Sequence, residues 1–168
     1  MDQGPRFIYN QKGLKDIQKN MDLLSKYKVR VGIMGRKVHR DDKFETNAEI
    51  GAKHEFGAGG FPARSFLRKP LSRWIEGEDS KKSSKTIFKL FDKSEFLLKF
   101  LSSLGVLGVR KVLHAFSTSG DGSWAPNSPV TVGLKGSDKP LIDTGTLRRA
   151  IVYMVVNESG QVVREGRT

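Results

Sequence analysis

The sequence has no cysteine, few prolines and no long apolar run. Without cysteine the chain can form neither a disulfide nor a thiolate metal site, and it has no thiol nucleophile. A membrane-spanning helix needs roughly 20 consecutive apolar residues, but Lys99, Ser102 and Arg110 interrupt the longest apolar patch, residues 96–116. The first residues lack the charged and then apolar pattern of a signal peptide, so we expect a protein that is synthesised in the cytosol.

Acidic residues are also scarce, since 18 Asp and Glu stand against 30 Lys and Arg and give a net charge of +12. The 168 residues are a usual length for one domain, so we predict a single domain over residues 1–168. A basic chain can bind nucleic acid, an anionic membrane surface or an acidic protein, although a merely solvated basic surface explains the charge equally well. Candidates for contact with DNA or an acidic partner are Arg36, Lys37, Arg40, Lys81, Lys82 and Lys85.

Hydrophobic spacing predicts several helices. They cover residues 11–27, 47–56, 65–75, 94–116, 128–135 and 144–149, and a further helix begins near Lys85. We expect Asn47 to cap the second of these, and Asp143 or Thr144 to cap the last. Along the longest helix, Leu97, Leu101, Leu104 and Gly108 form one line with Phe96, Phe100 and Leu107 beside it. Gly105 and Gly108 predict either a close approach of another backbone or a kink.

Alternating apolar and polar side chains predict three strands. The first covers residues 28–34, with Val29, Val31 and Ile33 on its covered face. Residues 151–156 and 161–164 form a hairpin around a turn at residues 158–160. The fold class is therefore α+β, with a small antiparallel sheet built from the early strand and the C-terminal hairpin and packed by the long helix and short helices. Long flexible loops are expected near residues 35–46, 76–86 and 118–140.

No pattern of catalytic residues is visible. The histidines His39, His54 and His114 have no second ligand at a metal-like spacing. The serines form no nucleophile elbow, and the glycine-rich residues 57–60 lack the lysine of a phosphate-binding loop. We therefore expect no catalytic, cofactor-binding or metal-binding residue, and we expect the protein not to be an enzyme.

Two segments together resemble the virion-morphogenesis family of tailed bacteriophages, whose members are also described as minor tail, tail-completion or head–tail junction proteins. The first runs over residues 48–68 and carries His54, Glu55, Phe56, Gly57, Pro62, Ala63, Arg64, Phe66, Leu67 and Arg68. The second runs over residues 124–148 and carries Trp124, Pro140, Leu141, Ile142, Asp143, Thr144, Gly145 and Leu147. Ser65 and Asn127 stand where the family usually has proline and leucine, and residues 76–86 are an insertion.

The resemblance implies a non-enzymatic structural protein of the virion, present in the host cytoplasm during assembly. It implies an oligomeric ring at the neck, which completes or terminates the tail and joins it to the connector. Six subunits are preferred because tails are sixfold, and twelve are the alternative. The implied partners are adjacent connector or adaptor proteins and tail-tube or terminator proteins, with non-specific contact to genomic DNA in the channel and no membrane. The motif residues serve either the fold or a subunit interface. Two alternatives stay open, a basic DNA-binding accessory protein and a small hydrolase whose site has no recognisable motif.

Overall fold

The computed structural model describes residues 11–34, 45–77 and 94–168. Their elements follow in the order α1 (Gln11–Ser25), β1 (Tyr27–Ile33), α2 (Asn47–Phe56), α3 (Arg68–Glu76), α4 (Ser94–Ser117), α5 (Pro129–Lys135), α6 (Thr146–Arg149), β2 (Ile151–Asn157) and β3 (Val162–Gly166). None of the helices in these ranges is long and apolar enough to cross a membrane. The helix predicted near Lys85 lies outside the described residues.

The three strands form one antiparallel sheet in the order β1-β2-β3. β1 pairs with β2 along its whole length, from Tyr27 opposite Asn157 to Ile33 opposite Ile151. β2 then pairs with β3, and the register shifts between Val155 and Val156. The predicted α+β fold, with an early strand joined to a C-terminal hairpin, is confirmed.

The core lies between this sheet and the long helix α4. The largest buried side chains of α4 belong to Leu97, Leu101, Val109, Val112 and Phe116, and those of β2 belong to Ile151, Tyr153 and Val155. The predicted covered face of β1 is confirmed, because its three apolar side chains pack partly buried against this cluster. Burial of apolar surface against one face of a sheet is the main stabilising term in such a two-layer fold.

Two glycines of α4 let the sheet approach the helix closely. A Cβ on Gly105 would stand 2.4 Å from the ring of Tyr153, and a Cβ on Gly108 would stand 2.9 Å from Val31 Cγ2. The neighbours are side chains rather than a second backbone, which corrects the expectation from the sequence. The buried line of the helix therefore includes Gly105 instead of Leu104, while Phe96 is 44% exposed.

The helix ends agree with the sequence in part. Gly57 ends α2 in the left-handed conformation, which agrees with the predicted end at residue 56. The helix predicted over residues 128–135 is α5, in which Ser128 is the N-cap and Pro129 occupies the first position. The prediction for the start of α2 is wrong, because Thr46 rather than Asn47 is the N-cap. Thr46 Oγ1 accepts from the Glu49 amide at 3.2 Å, and the Thr46 amide donates to the Glu49 carboxylate at 2.7 Å. This reciprocal capping box satisfies two amides, which Asn47 alone would not do.

The start of α6 also differs from the prediction. Its N-cap is Gly145, which has a φ of 76°, and no side chain caps this helix. Thr144 Oγ1 instead lies 2.7 Å from Thr146 Oγ1. Neither Asp143 nor Thr144 therefore caps α6.

The loop predicted over residues 118–140 contains a left-handed turn and α5. Ser119, Gly120, Asp121 and Gly122 all have φ between 51° and 73°. Four consecutive left-handed residues reverse the chain just after α4, and the turn is closed by the Gly122 amide, which donates to Thr118 O at 2.9 Å. Of the other two predicted loops, residues 35–44 and 78–86 lie outside the described residues.

Candidate functional site

Glu55 connects the two halves of the first motif segment. Its side chain points from α2 to the start of α3 and is 5% exposed. The carboxylate accepts from the Phe66 amide at 2.8 Å, from the Leu67 amide at 2.9 Å and from the Arg68 amide at 3.1 Å. The first amides of a helix have no partner within the helix, and its N-terminus favours negative charge. Glu55 is therefore the cap of α3, supplied from a different helix.

Ser65 strengthens this connection. Its hydroxyl donates to Glu55 Oε1 and accepts from the Lys69 amide at 3.1 Å. A proline at this position would have no hydroxyl. Ser65 therefore adds two hydrogen bonds to the junction of α2 and α3 that a proline could not make.

The turn between Glu55 and Ser65 is closed by backbone contacts. Gly57 adopts a φ of 76°, and a Cβ at this position would stand 2.9 Å from the Ala63 amide nitrogen. The Arg64 amide donates to His54 O at 2.7 Å. A glycine is required at position 57 both for the left-handed backbone and for the space that Ala63 occupies.

Arg64 connects the first motif segment to the second. Its Nε donates to Ala125 O at 2.9 Å and its Nη2 donates to Pro126 O at 2.8 Å, although 61 and 62 residues separate the partners. Burial lowers the pKa of the Arg64 guanidinium from its ordinary value. Arg64 is only 6% exposed, and the two carbonyl oxygens provide hydrogen-bond partners for its buried guanidinium. Arg64 therefore holds the segment after Trp124 against the turn before α3.

A run of three aromatic rings supports the same junction. The Phe66 and Phe116 ring centroids lie 5.1 Å apart, and the Phe116 and Trp124 centroids lie 6.0 Å apart with the rings at 89°. Such tilted and edge-on arrangements are favourable between aromatic rings. Gly120 makes room for the indole, because a Cβ there would stand 2.3 Å from Trp124 Nε1.

The remaining residues of the second motif lie at the base of α6. Pro140 and Leu147 are buried, and Leu141 and Ile142 are partly buried against the core. Leu141 has a φ of 59°, which is uncommon for a bulky side chain and indicates local strain. The side chains of Asp143 and Thr144 are exposed. These residues therefore serve mainly to seat α6 on the core.

The two motif segments face each other across a groove with a volume of about 730 Å³. We call this the motif groove. Its lining includes His54, Phe61, Pro62, Arg64, Pro126, Pro129, Lys135, Leu141, Asp143 and Leu147. His54 packs edge-on against Phe61, with the ring centroids 5.0 Å apart. The groove thus has aromatic and proline walls with charged groups at a few points, as binding sites commonly have.

Lys135 brings a perturbed charge to this groove. Burial lowers the pKa of its ammonium group, Asp143 raises it and Arg64 lowers it, and the net effect is a pKa below the ordinary value. Lys135 Nζ donates to Lys139 O at 2.9 Å. Perturbed groups in a cleft indicate a binding site more often than groups on an open surface do.

Exposed apolar side chains flank the motif groove. On α5, Val130 is 73% exposed and Leu134 is 85% exposed, while Phe61 is 47% exposed on the opposite rim. Residues four apart lie on the same face of a helix, so Val130 and Leu134 together present one apolar stripe. Phe56 is also exposed, and the Arg68 guanidinium lies 5.3 Å from its ring centroid. Large apolar side chains that are exposed close to a groove are typical of an interaction site.

The six predicted contacts to DNA or an acidic partner, at positions 36, 37, 40, 81, 82 and 85, lie outside the described residues. Among the described residues, no three His, Asp or Glu side chains are grouped as they would be to hold a metal ion. His114 Nε2 lies 3.5 Å from Asp121 Oδ1, and Arg73 Nη1 lies 2.9 Å from Asp121 Oδ2. These two contacts of Asp121 hold the left-handed turn against α3 and α4.

Sequence reasoning missed three features of the site. The role of Glu55 as a cap was not predicted, because a glutamate 13 residues before the first residue of α3 gives no local signal of capping. No role was predicted for Lys135, because its proximity to Asp143 depends on the chain reversal after α5. The contact between the two motif segments was not predicted, although the resemblance drew attention to both segments.

Comparison with protein-family models, curated proteins and solved structures finds no match to this chain.

Proposed function

We propose that this chain is a structural protein of the bacteriophage head–tail junction, which forms an oligomeric ring and joins the tail to the connector. The proposal starts from the resemblance of the two motif segments to the virion-morphogenesis family. The observation that supports it most is the set of hydrogen bonds made by Glu55 and Arg64. Glu55 connects the two halves of the first segment, and Arg64 connects the first segment to the second. Segments that recur together in a family are expected to be in contact, and these two segments are in contact in this chain.

The motif groove and its apolar rims support a role in assembly. A ring needs two different complementary surfaces on each subunit, one of which receives the other from the next subunit. Val130 and Leu134 on α5 offer a projecting surface, and the motif groove offers a concave one. The proposed ring has six subunits, with twelve as the alternative, and its neighbours are connector or adaptor proteins and tail-tube or terminator proteins.

The location of the chain in the virion tests this proposal. Cryo-electron microscopy of particles whose genome encodes the chain is expected to show its side-chain density as a closed ring between portal and tail tube. The density would also give the number of subunits. Absence of the chain from every position in the mature neck would contradict the proposal.

A basic DNA-binding accessory protein is the second candidate, and the net charge of +12 favours it. The two candidates differ in how self-association responds to salt. Phosphate contacts weaken steeply as salt rises, whereas contacts between apolar surfaces do not. Oligomers that persist at about 1 M NaCl without DNA favour the ring, and a monomer that associates only on DNA favours the accessory protein.

A further inference from the structure

Three arginines line a second hollow next to α6. Arg148 and Arg149 belong to α6, and Arg167 follows β3. The hollow has a volume of about 340 Å³, and we call it the arginine hollow. Its apolar floor is formed by Val109, Leu113, Ile142 and Ile151.

The arginine hollow carries an excess of positive charge. Its lining has three arginines against one negative group, the terminal carboxylate of Thr168 in this sequence, and no Asp or Glu side chain. The three arginines form no ion pair with any residue that the structure describes. Two arginines elsewhere in the described residues do have carboxylate partners, since Arg73 pairs with Asp121 at 2.9 Å and Arg68 lies 3.9 Å from Glu55. Three like charges beside an apolar floor repel one another, and a bound anion would relieve that repulsion.

The backbone around α6 positions one of these charges. Arg149 Nη1 lies 3.0 Å from the point where a Cβ on Gly145 would stand, so the guanidinium folds back over a glycine that has no side chain. The Arg149 amide also donates to Gly145 O at 3.0 Å. Arg167 reaches the same hollow because β3 pairs with β2, with Gly166 opposite Tyr153. Arg148 and Arg149 are neighbours in sequence, and the pairing of β3 with β2 brings Arg167 to them.

We infer that the arginine hollow binds the phosphodiester backbone of nucleic acid without reading its sequence. Guanidinium groups match phosphate oxygens with paired hydrogen bonds. The hollow is small enough to favour a phosphate with its sugar over a peptide helix, and no aromatic side chain lines it to stack on a base. The net charge of +12 adds long-range attraction to a polyanion. This inference does not depend on the proposed ring.

Binding of fluorescein-labelled duplex DNA to the full chain, followed by fluorescence anisotropy over a range of NaCl concentrations, tests the inference. The test variant is Arg148→Gln/Arg149→Gln/Arg167→Gln. The matched control is Lys15→Gln/Lys19→Gln/Lys26→Gln, which removes the same charge from α1 and its end, where no residue lines the hollow. We expect the arginine variant to bind on the order of tenfold more weakly and its salt slope to fall by about 2 to 3, since each phosphate contact contributes about 0.9. The lysine control should change the affinity less than about threefold.

A second variant, Arg148→Lys/Arg149→Lys/Arg167→Lys, keeps the three positive charges but removes the planar guanidinium groups. A DNA affinity between those of the wild type and the triple glutamine variant supports recognition by the guanidinium groups. Because all three arginines are exposed, the variants should keep the wild-type melting temperature. If the triple variant unfolds, the single variants Arg148→Gln and Arg167→Gln should each lower the salt slope by about 0.9. Equal losses in the arginine and lysine variants would overturn the inference, as would an absence of DNA binding by the wild type. Tighter arginine-dependent binding of poly-glutamate than of DNA would overturn it in favour of an acidic protein partner.

Discussion

At the scale of single residues, Glu55 and Arg64 hold together segments that are far apart in sequence. Both are charged and both are buried, a combination that is stable only when every charge has hydrogen-bond partners. Glu55 has amide and hydroxyl donors from four residues, and Arg64 has two carbonyl acceptors. Each of them therefore adds hydrogen bonds to the aromatic packing at this junction.

Glu55→Gln should destabilise the protein by about 2 to 4 kcal/mol, because the neutral amide loses the charge-assisted bonds and its NH₂ group faces backbone donors. Urea denaturation followed by circular dichroism measures the effect. Glu76→Gln is the control, since Glu76 is exposed at the end of α3 and its loss should change the stability by less than about 0.5 kcal/mol. Equal effects of the two substitutions would show that the cap contributes little.

Lys135 predicts a dependence of stability on pH. Burial lowers its pKa in the folded protein, so the unfolded chain holds this proton more tightly. Stability therefore rises with pH in the window between the lowered pKa and about 10.5, because the unfolded state binds more protons there. The free energy of unfolding of the wild type, taken relative to Lys135→Met, should increase from pH 7 to pH 10. A difference that stays flat or falls over this range would contradict the assignment.

At the scale of elements, the contact between α4 and the sheet depends on two positions without a side chain. Gly105→Ala should destabilise the protein by about 1 to 3 kcal/mol, because the new methyl group overlaps the Tyr153 ring and outweighs the higher helix propensity of alanine. Gly133→Ala on α5 is the control, since nothing lies within 4 Å of its added Cβ. That substitution should stabilise by about 0.5 to 1 kcal/mol. Thermal unfolding of both variants measures whether each substitution raises or lowers the stability. A stabilised Gly105→Ala variant would mean that α4 is not packed tightly against β2.

The elements themselves could largely be predicted from the sequence, because their signals are local. Periodicity predicted the strands and the long helix, and the predicted helix ends at residues 56 and 135 agree with the ends of α2 and α5. The wrong predictions concern the N-cap of α2 and the buried face of α4, where neighbouring residues were equally suitable and the three-dimensional contacts decided between them. Thr46 and Asn47 are both good caps, and the choice between them depends on where the Glu49 side chain lies. Likewise, Leu104 and Gly105 are neighbours on α4, and the Tyr153 ring decides which of them faces the sheet.

The candidate site was less predictable than the elements, because it is made of distant contacts. Arg64 and Pro126 are 62 residues apart, and no periodicity connects them. The arginine hollow has the same origin, since only strand pairing brings Arg167 to Arg148. Family resemblance did single out the motif residues, but it could not say that Glu55 and Arg64 connect them.

At the scale of the whole molecule, the proposed ring predicts a specific effect at the rim of the motif groove. Leu134→Glu should abolish or greatly weaken self-association in sedimentation velocity experiments, because it places a charge on an apolar stripe. The stability of the subunit should change by less than about 0.5 kcal/mol, since Leu134 is 85% exposed. Ile75→Glu makes the same change at an exposed position on α3 that does not line the groove. Equal effects on association from both variants, or none from Leu134→Glu, would exclude α5 as the contact.

The order of the strands also determines when the protein can fold during its synthesis. Among the described residues, β1 pairs with β2 and with no other strand, so Ile33 cannot pair until Ile151 is made, about 120 residues later. At about 5 to 20 residues per second, this wait lasts roughly 6 to 24 s. Throughout that time the nascent chain has an unpaired strand with three β-branched residues on one face. Such a strand can pair with strands of other chains. Nascent chains of this protein should therefore need shielding by a chaperone until translation has passed Asn157.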